Sequence, residues 1–164
     1  MLEHIDSIPY LQSRLDGWTH DLSKMTDQTL QSLYAIGSGG LFGKGLGNST
    51  QKIQSIPEAQ NDMIFSIICE EGGLFGACLV IAVFAVLIWR LMVISIHARD
   101  LGGALIAGGI MGHIALQVIL NIAVVTNTIP NTGITLPFIS YGGTSVLFLL
   151  GEMGLALSVS RDTD

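Results

Sequence analysis

From Leu74 to Ile96 the chain runs for 23 residues with one charge, Arg90, near enough to the end for its side chain to reach a headgroup layer. About 20 such residues, helical, cross the hydrocarbon core of a bilayer. This stretch therefore fixes the solvent in which everything else must be judged. A second apolar run covers 103–126 and a third covers 144–160, and only 12% of all residues are charged, against roughly 25% in a soluble domain. The expected class is an all-α integral membrane protein with three transmembrane helices preceded by a large polar loop.

Charge is placed unevenly. Residues 1–73 hold four basic side chains against nine acids, and residues 74–164 hold three against four. No basic tract suits nucleic acid. The three basic residues of the second part, Arg90, Arg99 and Arg161, all fall at one end of the three spans, which the positive-inside rule makes cytoplasmic. The organisation expected is an extracytoplasmic loop with short amphipathic helices over 1–73, a span over 74–96, a cytoplasmic link at 97–102, a span over 103–126, an extracytoplasmic loop at 127–143, a span over 144–160 and a cytoplasmic tail at 161–164. Two distant segments, the one around Asp62 and the loop after Asn127, then share the outer face.

Several polar features stand against this apolar background. Asp27 starts a helical spacing through Leu30, Leu33 and Tyr34 that predicts an amphipathic helix ending near Gly37. GSGGLFGKGLGNS, 37–49, has six glycines in thirteen positions. It reads either as a flexible loop, which composition favours, or as backbone that approaches a ligand closely. Asp62 leads into an apolar helix. With Asn61 as the cap it reads as a first-turn acid that meets the helix dipole, or else as a group held for chemistry. His113, Gln117 and Asn121 recur every four residues on one stripe, which in lipid must face protein or a wet cavity. Glu152 falls within the third span, where a carboxyl is expected to be protonated or paired, either with His113 or equally with a residue on a helix outside this chain. Cys69 and Cys78 read as buried free thiols. The N-terminal residues lack the charged start and apolar core of a signal peptide.

AIGSGGLFGKGLGNSTQK, PEAQNDMIF, EEGGLFG and above all GITLPFISYGGTS resemble the C-terminal part of the SEDS family, the shape, elongation, division and sporulation proteins that include FtsW, RodA and SpoVE. The likeness runs from about Arg14 to Arg161, and GLGNSTQK is nearer the division and sporulation branch. It implies a fragment of a ten-helix polytopic bundle in the bacterial plasma membrane. It also implies polymerisation of lipid II, the undecaprenyl-pyrophosphate-linked disaccharide-peptide, into glycan strands for division or sporulation. The partners implied are a class B penicillin-binding protein and the division or sporulation complex. The family's aspartate motif falls on Pro57, Glu58 and Asp62, so Asp62 takes the general-base role, although Asn61, Met63 and Gly72 depart from the usual wording.

Substrate-binding candidates are Lys52, Glu58, Ser140, Tyr141, Gly142, Gly143, Thr144 and Ser145. The glycines would admit close backbone approach and the hydroxyls would bind sugar or phosphate. Lys52 is preferred over Lys44, read as a solvated loop charge, for the developing diphosphate. A divalent cation, Mg or Mn, is a further candidate for that charge. Glu70 and Glu71 read as structural or metal-neighbouring. A lipid-linked precursor transporter (flippase) and an inactive truncated copy are the competing functional readings.

Overall fold

The computed structural model describes residues 27–45, 47, 48 and 62–161. Four helices form: α1 (Asp27–Gly39), α2 (Ile64–His97), α3 (Leu101–Val125) and α4 (Gly143–Arg161). No strand occurs among the described residues. The last three are each long and apolar enough to cross a membrane. α3 packs chiefly against α2 and also against α4, while α1 lies across the start of α2. α1 extends two residues past the expected Gly37, and Ser32 ties it to the end of α3 by donating to the Val125 carbonyl at 3.0 Å.

α2 is 34 residues long, too long for one straight span, and it breaks at Gly73 (φ 62, ψ −161), a conformation open essentially to glycine alone. The break removes the helical bonds from Leu74 N–H to the Glu70 carbonyl and from Phe75 N–H to the Glu71 carbonyl. The glycine-rich loop replaces both. Leu74 N–H donates to Gly40 O at 2.9 Å and Phe75 N–H to Leu41 O at 3.2 Å, while Glu70 O accepts from Lys44 N–H at 2.9 Å and Glu71 O from Gly45 N–H at 3.1 Å. All four freed backbone groups are thus satisfied, as a break at a membrane requires. The expectation of a flexible loop fails for the described part of this segment. Its backbone does make a close approach, but to the chain's own helix.

Such contact leaves no room for side chains at selected glycines. A Cβ on Gly73 would meet the Gly43 amide and the Leu41 carbonyl, whereas a Cβ on Gly72 would meet nothing. Gly73→Ala is therefore expected to destabilise the full-length protein by about 3 kcal/mol through strain and overlap. Gly72→Ala should be neutral or slightly stabilising. Denaturant unfolding in detergent reads the contrast between these neighbours.

At the opposite end of the spans, Asp100 caps α3 by accepting from Gly103 N–H at 3.2 Å, and the Ser95 hydroxyl donates to the Ala104 carbonyl at 2.8 Å. Arg90, Arg99 and Arg161 are exposed at this end. The core between the spans is apolar, built on Phe84, Leu91, Ile114, Val118 and Leu149. Cys69 is buried as expected, but Cys78 is exposed: it lies on a face of α2 that no described element covers.

Candidate functional site

Asp62 sits in a turn with Met63 directly before α2, half-buried. Met63 occupies the cap position without a side-chain cap bond, and α2 has no acid in its first turn. The expected role of Asp62 as a first-turn acid is therefore not realised: the helix begins two residues later. Asn61, the expected cap, lies outside the described residues. The turn closes instead through Ser66, whose buried hydroxyl donates to the Met63 carbonyl at 2.7 Å. Met63 itself is 1% exposed and anchors the turn in the core.

The stripe on α3 grips this turn. Asn121, wholly buried, donates from Nδ2 to the Asp62 carbonyl at 2.8 Å and to the Ile134 carbonyl at 2.7 Å. One carboxamide thus joins the aspartate turn to the loop that leads into PFISYGG. One turn along α3, Gln117 Nε2 lies 3.5 Å from Thr135 Oγ1, a long contact on the same loop.

That loop is built rather than slack. Asn127 (φ 55) closes α3 in the left-handed conformation asparagine tolerates, and its N–H donates to Val124 O at 2.9 Å. Farther on, Leu136 and Ser140 bond reciprocally. Leu136 N–H donates to Ser140 Oγ at 2.7 Å, and Ser140 N–H donates to Leu136 O at 3.0 Å. Between them Phe138 is held at φ 63, a strained position for a side-chain-bearing residue. The Ser140 oxygen is thereby committed to the loop's own backbone.

Four of the remaining candidates divide between two concavities. One, of about 490 Å³, is lined by Ile64 beside the aspartate turn together with Tyr141, Gly142, Gly143 and Val146, and also touches Ser140. The other, of about 480 Å³, is lined by Ser145 with His113, Gln117, Thr135 and Ile134. Tyr141 and Thr144 are exposed, and Thr144 lines neither. Lys52 and Glu58 lie outside the described residues. No three His, Cys, Asp or Glu side chains come together among the described residues.

Lys44 is not the solvated charge expected. Its ammonium lies 2.7 Å from Oε1 of Glu70, whose side chain is wholly buried, and the Ser38 hydroxyl donates to the same oxygen at 3.4 Å. These contacts tie the glycine-rich loop and α1 to Glu70 at the helix break.

Glu152 does meet His113, Oε2 to Nδ1 at 3.0 Å. Each stands at the middle of its helix, α3 and α4 respectively. Hydrogen bonds between side chains in membranes average only about 0.6 kcal/mol. His113→Leu with Glu152→Leu is therefore expected to leave the unfolding free energy within about 1 kcal/mol of wild type. His113→Leu alone, which strips Glu152 of this partner, should cost more. Unfolding midpoints of the full-length variants check that order.

A model of the cell cycle protein family FtsW/RodA/SpoVE matches residues 4–164. Stage V sporulation protein E of Bacillus subtilis (strain 168) is 50% identical over 159 residues, which cover 94% of this chain and 43% of that protein. A protein of Thioalkalivibrio sp. (strain K90mix) named "Probable peptidoglycan glycosyltransferase FtsW" is 45% identical over 161 residues, 94% of this chain and 40% of its own length. Among solved structures, a chain from work on the coordination of polymerization and crosslinking by a peptidoglycan synthase complex superposes with a TM-score of 0.73 at 28% identity, covering 96% of this chain and 44% of that one. An aspartate-to-alanine variant of the rod shape determining protein RodA of Thermus thermophilus gives 0.61 at 35% identity, over 80% and 40% respectively. The chain spans about two-fifths of the length of these relatives.

Proposed function

The chain belongs to the FtsW/RodA/SpoVE family of cell cycle proteins, a family of multi-pass membrane proteins, and from that premise we propose that the full-length protein is a peptidoglycan glycosyltransferase. It polymerises lipid II in division or sporulation, with Asp62 as general base. The observation that carries this reading is the double hydrogen bond of Asn121, which holds the Asp62 turn against the loop leading into PFISYGG. Names of relatives as peptidoglycan glycosyltransferases support the reaction class. The exposed arginines at the far end support an outward-facing site and a cytoplasmic C-terminus.

In the reaction, the 4-hydroxyl of an acceptor GlcNAc attacks the anomeric carbon of a donor MurNAc. The Asp62 carboxylate takes the hydroxyl proton as the new carbon–oxygen bond forms. The bond to the pyrophosphate breaks, and undecaprenyl pyrophosphate departs with its electron pair. An acidic leaving group of this kind needs positive charge rather than a general acid. Lys44 is engaged by Glu70, so Lys52 remains the candidate for that charge. Ile64, Tyr141, Gly142 and Gly143 form an apolar wall beside the aspartate turn, suited to the lipid end of the substrate. The partner is a class B penicillin-binding protein, a choice supported by the synthase complex among the structural relatives.

The test is reconstitution of the full-length protein with lipid II, following glycan strands by gel and lipid II translocation across liposomes in parallel. Strand formation that depends on Asp62 is expected. Translocation without strand formation would replace this reading with the transporter.

A further inference from the structure

We infer that Asn121 is a positioning residue for the Asp62 carboxylate, an inference that rests on the glycosyltransferase reading above. The Asp62 turn has no cap bond to hold it at the start of α2. Asn121 of α3 adds a hold from outside the turn, on a helix whose neighbouring residues Ile114, Val118 and Val125 are all deep in the core. The carboxamide of Asn121 uses both of its hydrogens, one on the Asp62 carbonyl and one on the Ile134 carbonyl. The fork of a single NH₂ group sets these two oxygens about 5 Å apart, so it fixes the register between the aspartate turn and the PFISYGG loop.

The other end of the same side chain supports a role beyond packing. Oδ1 of Asn121 is buried with no hydrogen-bond partner among the described residues. A buried acceptor left in this state costs stability. An apolar residue would avoid that cost but would take these donors from the Asp62 and Ile134 carbonyls. Aspartate has the same shape but would bring oxygen against two carbonyl oxygens, and leucine would offer no donor at all.

The experiment uses the full-length protein with lipid II and compares Asn121→Leu and Asn121→Asp, each alone and combined with Asp62→Asn. In the single variants kcat is expected to fall at least about tenfold while KM for lipid II stays within about twofold, as misplacement of a base requires. In the Asp62→Asn background the Asn121 substitutions should add no further loss, because no base remains to be positioned. Equal losses in both backgrounds, or wild-type kcat in the single variants, would overturn the inference. So would failure of both Asn121 variants to assemble, since the amide would then serve the fold. Asp62→Asn alone is read first. If it polymerises at the wild-type rate, the general-base reading itself is wrong, a result distinct from any of these.

Discussion

Asp62→Asn in the full-length protein is expected to slow lipid II polymerisation by about 10²- to 10⁴-fold, the range a positioned general base supplies. The substitution is nearly isosteric and removes the basicity together with the negative charge. The bond from Asn121 is made to the backbone carbonyl of residue 62, which the substitution retains. Met63 and the Ser66 closure of the turn are untouched as well. The unfolding midpoint should therefore stay within a few degrees of wild type while the rate collapses. Initial rates of strand formation, measured with the midpoint on the same preparation, separate the two effects. A rate within about threefold of wild type would place the proton elsewhere.

The sequence makes some of this site legible and hides the rest for identifiable reasons. The spans are legible because uninterrupted apolar runs have few alternatives in structure. The meeting of the Asp62 segment with the PFISYGG loop follows from counting crossings, and Asn121 supplies the contact. Spacing puts Asn121 on the stripe with His113 and Gln117, yet it cannot separate their roles. Asn121 bonds backbone in the core, while His113 and Gln117 line a concavity. Gly72 and Gly73 are alike in sequence, and only the backbone distinguishes the one that breaks the helix. Phe138 carries no sign of its left-handed conformation, because phenylalanine has no preference for it. The glycine-rich loop misleads composition. Glycine permits flexibility and close packing equally, and here the four groups freed at the break of α2 select the second.

Lys44→Met is expected to destabilise the full-length protein by about 3 kcal/mol, near the lower end of what breaking a buried ion pair costs. The two partners are unequal. Glu70 is wholly buried, whereas the Lys44 side chain keeps 34% of its surface open. Loss of the ammonium leaves a carboxylate that water cannot reach and that lacks this counter-charge, although the Ser38 hydroxyl still donates to it. Loss of the carboxylate leaves an ammonium that can turn outward. Glu70→Gln should therefore cost less, about 1 kcal/mol, since its amide oxygen can still accept from Ser38. The double variant Lys44→Met with Glu70→Met should recover much of the Lys44→Met loss, because burying two apolar side chains avoids desolvating charge. Denaturant unfolding in detergent reads all three. Equal costs for Lys44→Met and Glu70→Gln would contradict the buried pair. Polymerisation at a temperature where Lys44→Met is folded then distinguishes the helix-break role from a phosphate role. A structural lysine leaves kcat near wild type, because the cation never meets the departing diphosphate. A large fall in kcat in the folded variant would instead return Lys44 to the reaction, and the Glu70 contact would be the resting arrangement of a side chain that moves.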